Sequence, residues 1–204
     1  MISKRILVSI VICVTSAAAA TADPRTYTIR NDGKNVASFR LPDALESIDG
    51  TTNDVTGTIA ADIANPSAST VQIEVNLATL DTGIALRNHH MRDRYIEVGK
   101  YPQAKFKSVS VSSPAGAVAA NQPVEFTIAG DFTMHGVTKR VTAPVRIIVI
   151  PESDITRNSR GPGDWIHATT TFKLKLSDFG IDVPDGFVDD TLDAKVDVFA
   201  LAAR

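Results

Sequence analysis

Apolar residues recur at every second position over long stretches of this chain. In the segment 71–77, for instance, valine, isoleucine and leucine alternate with glutamine, glutamate and asparagine. A period of two is typical of β-strands that bury one face and leave the other in water. The same alternation runs through 124–134 and 141–149, and His135-Gly136 between them is predicted to form a hairpin turn. The chain is therefore expected to consist mainly of β-strands.

The chain contains eight or nine such segments, joined by links of hairpin length. Beyond those above, the candidates are 27–30, 36–40, 55–63, 104–111, 166–176 and 194–200. No pair of segments has the strand, helix, strand spacing of a parallel sheet, so the sheet is expected to be antiparallel. One-sided apolar alternation in long strands is typical of an up-and-down barrel with an apolar inner wall. The sequence thus predicts an all-β fold, an antiparallel eight-stranded barrel, with a sandwich as the alternative.

One segment departs from this pattern. Between 83 and 98 the apolar residues recur at three- and four-residue steps, which predicts one amphipathic helix with Asp81 or Thr82 as its cap. Its other faces carry a dense group of cationic or protonatable residues, namely Arg87, His89, His90, Arg92 and Arg94. One interpretation is a solvated helix face. The other is a helix at the barrel mouth that offers arginine and histidine to an anionic or carbonyl-bearing head group.

The first 22 residues have the pattern of a cleaved signal peptide. Lys4 and Arg5 precede an apolar stretch at 6–14, and an Ala-Thr-Ala cleavage pattern ends at Ala22. The remaining segment, 23–204, is then one domain without cysteine, because Cys13 is removed with the signal. These features predict export to the periplasm, where a compact domain needs no disulfide. The apolar stretch is shorter than the roughly 20 residues that span a bilayer, so no stable membrane insertion is expected.

Composition and motifs argue against several function classes. With 21 Lys and Arg against 23 Asp and Glu and no basic run, the chain lacks the clustered positive charge that nucleic acid binding requires. It has no nucleophile elbow, phosphate loop or H-E-x-x-H motif, so no catalytic residue is predicted. The four histidines lack metal-ligand spacing, and no metal site is predicted. The aspartates between 178 and 193 are interpreted as an acidic hairpin in preference to a calcium loop.

The interior of an eight-stranded barrel is either filled by side chains or holds one elongated ligand. The predicted inner rows mix large apolar residues with small ones, and the small ones are Gly57, Ala61, Ala143, Ala168, Ala194 and Ala200. Because small inward residues leave room, we expect a hollow. A long apolar tail enclosed there would contribute about 0.8 kcal/mol per buried carbon.

Four motifs occur in order along the chain: LDTG at 80–83 with RNHHMR at 87–92, KYP at 100–102, TMHGVTK at 133–139, and DFGI at 178–181. In order and spacing they resemble the YceI-like family of bacterial periplasmic proteins. The resemblance covers about 26–201 and departs at Lys34-Asn35, where the family usually has a His-Ser pair. It implies an extended lipocalin-like barrel that takes a polyisoprenoid lipid, such as an isoprenoid quinone or its precursor, into its core. It brings no enzymatic activity and no cofactor beyond the bound lipid.

For such a carrier, store or scavenger of lipid, we predict that the inner wall makes the contacts. The predicted lipid-binding residues are Val71, Ile73, Val75, Phe126, Ile128, Phe132, Val145, Ile147, Phe172 and Leu174. Arg87, His90 and Arg94 are the predicted head-group contacts.

Two other interpretations stay open at the level of sequence. One is a periplasmic enzyme or metal-dependent stress factor that uses His89, His90 or His135. The other is a structural or interaction module whose core is filled at normal packing density. The sequence also leaves open whether the chain forms a homodimer.

Overall fold

Ten β-strands dominate the computed structural model, which describes residues 24–42, 46–112, 116–183 and 190–202. The predicted signal peptide and Cys13 lie outside the described residues. The strands are β1 Arg25–Ile29, β2 Val36–Leu41, β3 Ile48–Thr52, β4 Val55–Ala61, β5 Thr70–Asn76, β6 Gln103–Ser112, β7 Pro123–Met134, β8 Val137–Ile150, β9 Trp165–Lys175 and β10 Thr191–Ala202.

Eight of these strands close into a barrel. Neighbours follow the order β1, β4, β5, β6, β7, β8, β9 and β10, every pairing is antiparallel, and β10 returns to pair with β1. The predicted antiparallel eight-stranded barrel is therefore confirmed. The two additional strands, β2 and β3, form a hairpin attached to the edge of β10. Strand β3 was not predicted, because its sequence IDGTT has a single large apolar residue and no alternation.

Strand β10 changes partner halfway along its length. Its residues 193–197 pair with β2, and 200–202 pair with β1. The side chain of Asn35 fills the break, since its amide donates to the carbonyl of Arg30 (2.7 Å) and its oxygen accepts the N–H of Phe199 (2.8 Å). Asn35 is only 1% exposed. This residue is one of the two that differ from the His-Ser pair described above, and its side chain satisfies the backbone N–H of Phe199.

The predicted helical segment is present but begins and ends differently from the prediction. It starts as α1, Ala85–His89, and continues as a π-helix, π1, His90–Tyr95. The predicted cap is wrong, because Ile84 occupies the N-cap position without a side-chain hydrogen bond. The carboxylate of Asp81 instead accepts the N–H of Gly83 (2.8 Å) and tightens the turn before the helix.

Short helical turns complete the fold. A second α-helix, α2 Asp154–Ser159, lies between β8 and β9 and begins with a capping box formed by Ser153 and Thr156. At six residues it is too short for a periodic signal, and the sequence did not predict it. Three 3-10 turns are Pro66–Ala68, Leu77–Thr79 and Leu176–Phe179.

Two glycines have conformations or contacts that a residue with a side chain would not easily allow, and one of them lies in the predicted hairpin turn. His135 and Gly136 form the β7 to β8 turn with φ of 52° and 75°, the two positive values that a tight hairpin of this hand requires. Gly130, which interrupts the apolar row of β7, permits a close approach of β6. A Cβ atom at this position would lie 2.4 Å from the ring of Phe106 and 2.5 Å from the carbonyl oxygen of Lys107.

The barrel interior divides into two apolar clusters along its axis. The closed half holds the ends of β1, β4, β7 and β9, and its buried residues include Tyr27, Ile29, Val55, Phe126, Ile128 and Ile166. The mouth half holds the β2 to β3 hairpin and the β7 to β8 turn, and its buried residues include Leu41, Leu80, Phe132, Leu174, Phe179 and Leu192. The segment formed by α1 and π1 packs on the mouth half through Met91, Tyr95 and Ile96.

Candidate functional site

An apolar cavity of about 480 Å³ occupies the mouth half of the barrel. Its size falls within the range of small-molecule sites in proteins. Nearly all of its wall is apolar. The polar side chains Thr82, Arg87 and His90 lie on the side of the α1 and π1 segment, and Ser38 and Lys195 line the cavity from β2 and β10. The barrel is therefore hollow in the mouth half, whereas described residues of the closed half surround a separate void of about 30 Å³.

The ten predicted lipid-binding residues fall into three groups. Those that line the large cavity are Val75, Phe132, Phe172 and Leu174. Those that surround the small void in the closed half are Val71, Phe126, Ile128 and Ile147. The remaining two, Ile73 and Val145, pack against the closed-half cluster and line neither space. The structure thus brings four of the ten together around one ligand-sized space.

Most of the six small residues that were predicted to leave room in the barrel lie away from this cavity. Of the six named from the sequence, only Ala194 lines the cavity. Ala61, Ala168 and Ala200 belong to the buried cluster of the closed half, and Ala61 borders the void of about 30 Å³ there. The inference from small side chains to a hollow was therefore wrong in its location, although a hollow exists.

The cavity wall also includes residues that were not among the predicted lipid-binding residues. Phe39, Leu41 and Ile48 come from the β2 to β3 hairpin, and Leu77 and Leu80 come from the segment after β5. The alternation of Ala37, Phe39 and Leu41 could have indicated an inward face for β2. Leu77 continues the alternation of 71–77, whereas Ile48 and Leu80 have no such signal, because neither belongs to a run with a two-residue period.

The α1 and π1 segment lies across the open end of the cavity. Ile84 and Leu86 line the cavity edge, yet they are 52% and 64% exposed. Arg92 attaches the segment to the cavity wall, because its guanidinium donates two hydrogen bonds to the carbonyl of Leu80. The amide oxygen of Asn88 accepts both the N–H (2.8 Å) and the hydroxyl (2.7 Å) of Thr82. These bonds fix the segment to the wall at its first turn and at its middle.

The three predicted head-group residues differ in position. Arg87 lines the cavity, and its guanidinium donates to the hydroxyl (2.9 Å) and carbonyl (2.6 Å) of Thr82. His90 also lines the cavity. Arg94 is not part of the lining, and its guanidinium carbon lies 5.6 Å from the ring centre of Tyr95. Two of the three therefore line the cavity, and the third does not.

His135 ties three parts of the mouth half together. Its Nδ1 lies 3.0 Å from the carbonyl oxygen of Phe179, and its Nε2 lies 3.1 Å from Oε2 of Glu97. The ring also meets Tyr101 edge-on, with ring centres 4.6 Å apart. Hydrogen bonds from Lys100 and from His135 lower the pKa of the Glu97 carboxyl. His135 does not line the cavity, and its contacts hold the β7 to β8 turn against Glu97 and Phe179.

The remaining histidines are also engaged separately. His89 pairs with Asp93 (2.6 Å) on the helical segment, and His167 pairs with Asp197 (2.8 Å) while stacking on Phe199. Among the described residues, no group of three or more His, Cys, Asp or Glu side chains is placed to hold a metal ion.

The acidic segment before β10 is partly described. A carboxylate oxygen of Asp190 accepts the N–H of Ser177 (3.1 Å), and hydrogen bonds from Ser177 lower the pKa of this carboxyl. Asp193 pairs with Lys173 across the strand pair (3.0 Å). The rest of the proposed acidic hairpin, 184–189, lies outside the described residues.

Known proteins resemble this chain in sequence and in fold. A family model described as the YceI-like domain matches residues 27–200. A UPF0312 protein of Pseudomonas savastanoi pv. phaseolicola is 31% identical over 202 residues, a match that covers 95% of each chain. None of the helices among the described residues is long and apolar enough to cross a membrane.

Two solved structures share the fold. BcnA of Burkholderia cenocepacia matches with a TM-score of 0.67 and 20% identity, over 84% of this chain and 99% of its own. A polyisoprenoid binding domain of Saccharophagus degradans, implicated in plant cell wall breakdown, matches with a TM-score of 0.63 and 14% identity, over 88% of this chain and 99% of its own. At these identities the likeness concerns the fold alone. Together with the matching family model and the relative that aligns along nearly the whole chain, it leads to one assignment: this chain belongs to the YceI-like family.

Proposed function

We propose that this protein is a periplasmic lipid-binding protein that holds a polyisoprenoid, an isoprenoid quinone or its precursor, in the mouth half of the barrel. It acts in this proposal as a carrier, store or scavenger and has no enzymatic activity. The observation that carries the proposal is the apolar cavity of about 480 Å³, whose wall has few polar side chains, Arg87 and His90 among them. Such a cavity suits an amphiphile whose tail lies inside and whose head lies near Arg87 and His90.

The energetics favour a long apolar tail. Each enclosed carbon contributes about 0.8 kcal/mol, so about ten carbons contribute about 8 kcal/mol before the cost of ordering the chain is subtracted. The family assignment supports the same ligand class, since a structural neighbour is a polyisoprenoid binding domain. The alternative that uses His89, His90 or His135 has less support, because His89 pairs with Asp93 and His135 with Glu97, and only His90 of the three lines the cavity. Among the described residues, these histidines do not join a group of three or more potential metal ligands.

The direct test is extraction of the protein purified from its native host without detergent, followed by mass spectrometry. We expect a polyisoprenoid at close to one molecule per chain. Protein that is folded and carries no extractable lipid from the native host would contradict the proposal.

A matched pair of variants makes the test specific to the cavity. Ala194→Phe places a ring into the cavity from β10, whereas Val109→Phe adds similar bulk at an outward position that is 57% exposed. We expect the first variant to lose most of the bound lipid and the second to retain it. Circular dichroism melts confirm that both variants are folded.

A further inference from the structure

The mouth of the cavity presents an apolar surface that no described part of the chain covers. Among the described residues, the large hydrophobic side chains with the highest exposure are Ile84, Leu86, Val109 and Ile155. The first two are neighbours on the α1 segment, and both also line the edge of the cavity. Val109 lies on β6 and Ile155 on α2, so neither belongs to an apolar group of this kind.

The same segment is locally basic in a chain that is acidic as a whole. Between 83 and 100 it carries four lysine and arginine residues against two acidic ones, while the full chain has a net charge of −2. The acidic groups nearby are engaged by protein partners. Asp93 pairs with His89 (2.6 Å), Glu97 with Lys100 (2.6 Å) and Asp49 with Arg40 (2.8 Å). Arg94, in the same segment, is exposed and has its guanidinium near the ring of Tyr95.

An exposed apolar pair with cationic and aromatic neighbours is the pattern of a segment that lies in a membrane interface. Apolar side chains enter the boundary between head groups and acyl chains, and cations meet anionic lipid head groups. A tyrosine suits this interface because one end of its ring is apolar and the other polar. The opening of the cavity lies at the same place, so a tail could pass from the bilayer into the barrel without crossing bulk water.

From these observations we infer that the segment 84–95 docks the barrel, mouth first, on the surface of an anionic phospholipid bilayer. The inference rests on the proposed lipid cargo for its purpose. The docking contact itself is measured independently of any cargo. In this inference the docking residues are the exposed Ile84, Leu86 and Arg94, together with the half-buried Tyr95, which also lines the cavity.

The experiment is cosedimentation of the purified protein with vesicles of phosphatidylglycerol and phosphatidylethanolamine, compared with vesicles of phosphatidylcholine. The proteins are the wild type, Ile84→Ser/Leu86→Ser, Arg94→Gln and the control Ile155→Ser, which removes an 81% exposed apolar side chain from the opposite end of the barrel. Intact-mass measurement ensures that all four have the same N-terminus, and circular dichroism ensures that all are folded.

We expect the wild type to bind the anionic vesicles, and to bind them less as salt is added. Ile84→Ser/Leu86→Ser should bind at least about tenfold more weakly, because two apolar side chains no longer enter the interface. Arg94→Gln should bind about fivefold more weakly, the loss typical of one cation near an anionic surface. Ile155→Ser should bind like the wild type.

The inference is overturned if the double serine variant binds as tightly as the wild type, or if Ile155→Ser loses as much binding. It is also overturned if the wild type does not bind anionic vesicles while analytical ultracentrifugation shows a dimer that only the double serine variant loses. That result would make the surface a contact between two copies of this chain. Wild-type protein that yields no lipid on extraction but binds vesicles as expected contradicts the proposed cargo and supports docking.

Discussion

The two halves of the barrel are built from the same long strands but enclose different interiors. In the closed half, β1 and β4 join β10 to β5 in a continuous wall, and buried residues such as Tyr27 and Phe126 fill the space. In the mouth half, β2 and β3 replace them, and β3 reaches the segment after β5 through the isolated Thr51 to Asp81 bridge. The half whose strands pair continuously is filled by side chains. The half in which β3 is joined to the neighbouring segment by a single bridge contains the cavity.

This difference separates stability from binding. The closed half supplies side chains buried to 1% or less, such as Ile29, Val55 and Ile166. Such residues dominate the free energy of unfolding because nothing but protein surrounds them. In the mouth half, part of the apolar wall borders the cavity instead of other side chains, and this part is available to a ligand. The filled half also limits how much of a long tail the barrel encloses.

The largest expected difference between the two halves comes from introducing a carboxylate into each of them. Ile128→Asp places a carboxylate in the closed half, where Ile128 is 4% exposed, and should lower the free energy of unfolding by more than about 4 kcal/mol. Phe172→Asp places the same group at the cavity wall, where the side chain is only half-buried, and should spare the fold while abolishing lipid retention. Urea unfolding and lipid extraction measure the two effects. Lipid retained by folded Phe172→Asp would show that this wall does not contact the ligand.

A matched pair of truncations sharpens the comparison with a smaller effect. Phe126→Ala should lower the free energy of unfolding by about 3–5 kcal/mol, since it leaves a void in a filled core. Phe172→Ala should lower it by less than about 2 kcal/mol, because Phe172 already borders an open cavity. Its main loss is the edge-on contact with Phe132, whose ring centre is 6.0 Å away. Equal losses in denaturant unfolding would mean that the two halves are packed alike.

The smallest expected effect is a pH dependence centred on Glu97. Its lowered pKa means that the charged carboxylate is stabilised in the folded state. This stabilisation is complete above the ordinary pKa of 4.5 and is lost as the pH falls through the lower folded value. The free energy of unfolding of Glu97→Gln should therefore decline less steeply than that of the wild type between about pH 5 and pH 3.

The control for this effect lies in the other half. Glu125→Gln changes an exposed glutamate near the start of β7, at the closed end, and should leave the slope unchanged. Hydrogen exchange followed on the same proteins should show acid opening of 84–101 in the wild type before the closed half exchanges. If both variants changed the pH dependence of the free energy of unfolding equally, the effect would not be specific to the contact between Glu97 and His135.

Much of the fold was predictable because it depends on local pattern. The alternation in 124–134 and 141–149 predicted β7 and β8, and His135-Gly136 predicted their turn. The site was predictable only in part. The alternation identified inward residues, but position along the barrel axis decides whether an inward residue meets protein or space. Phe126 and Phe132 lie on the same face of one strand, yet one is in the filled core and the other lines the cavity.

The sequence by itself determined the antiparallel barrel, the helical segment and the family, because periodicity, turn residues and motifs are properties of neighbouring positions. Only the tertiary structure decided that β10 changes partners at Asn35, that β3 ends in a single bridge, and that the cavity lies beneath Ile84 and Leu86. These outcomes depend on contacts between residues far apart in the chain. No local pattern encodes where such a wall closes and where it stays open.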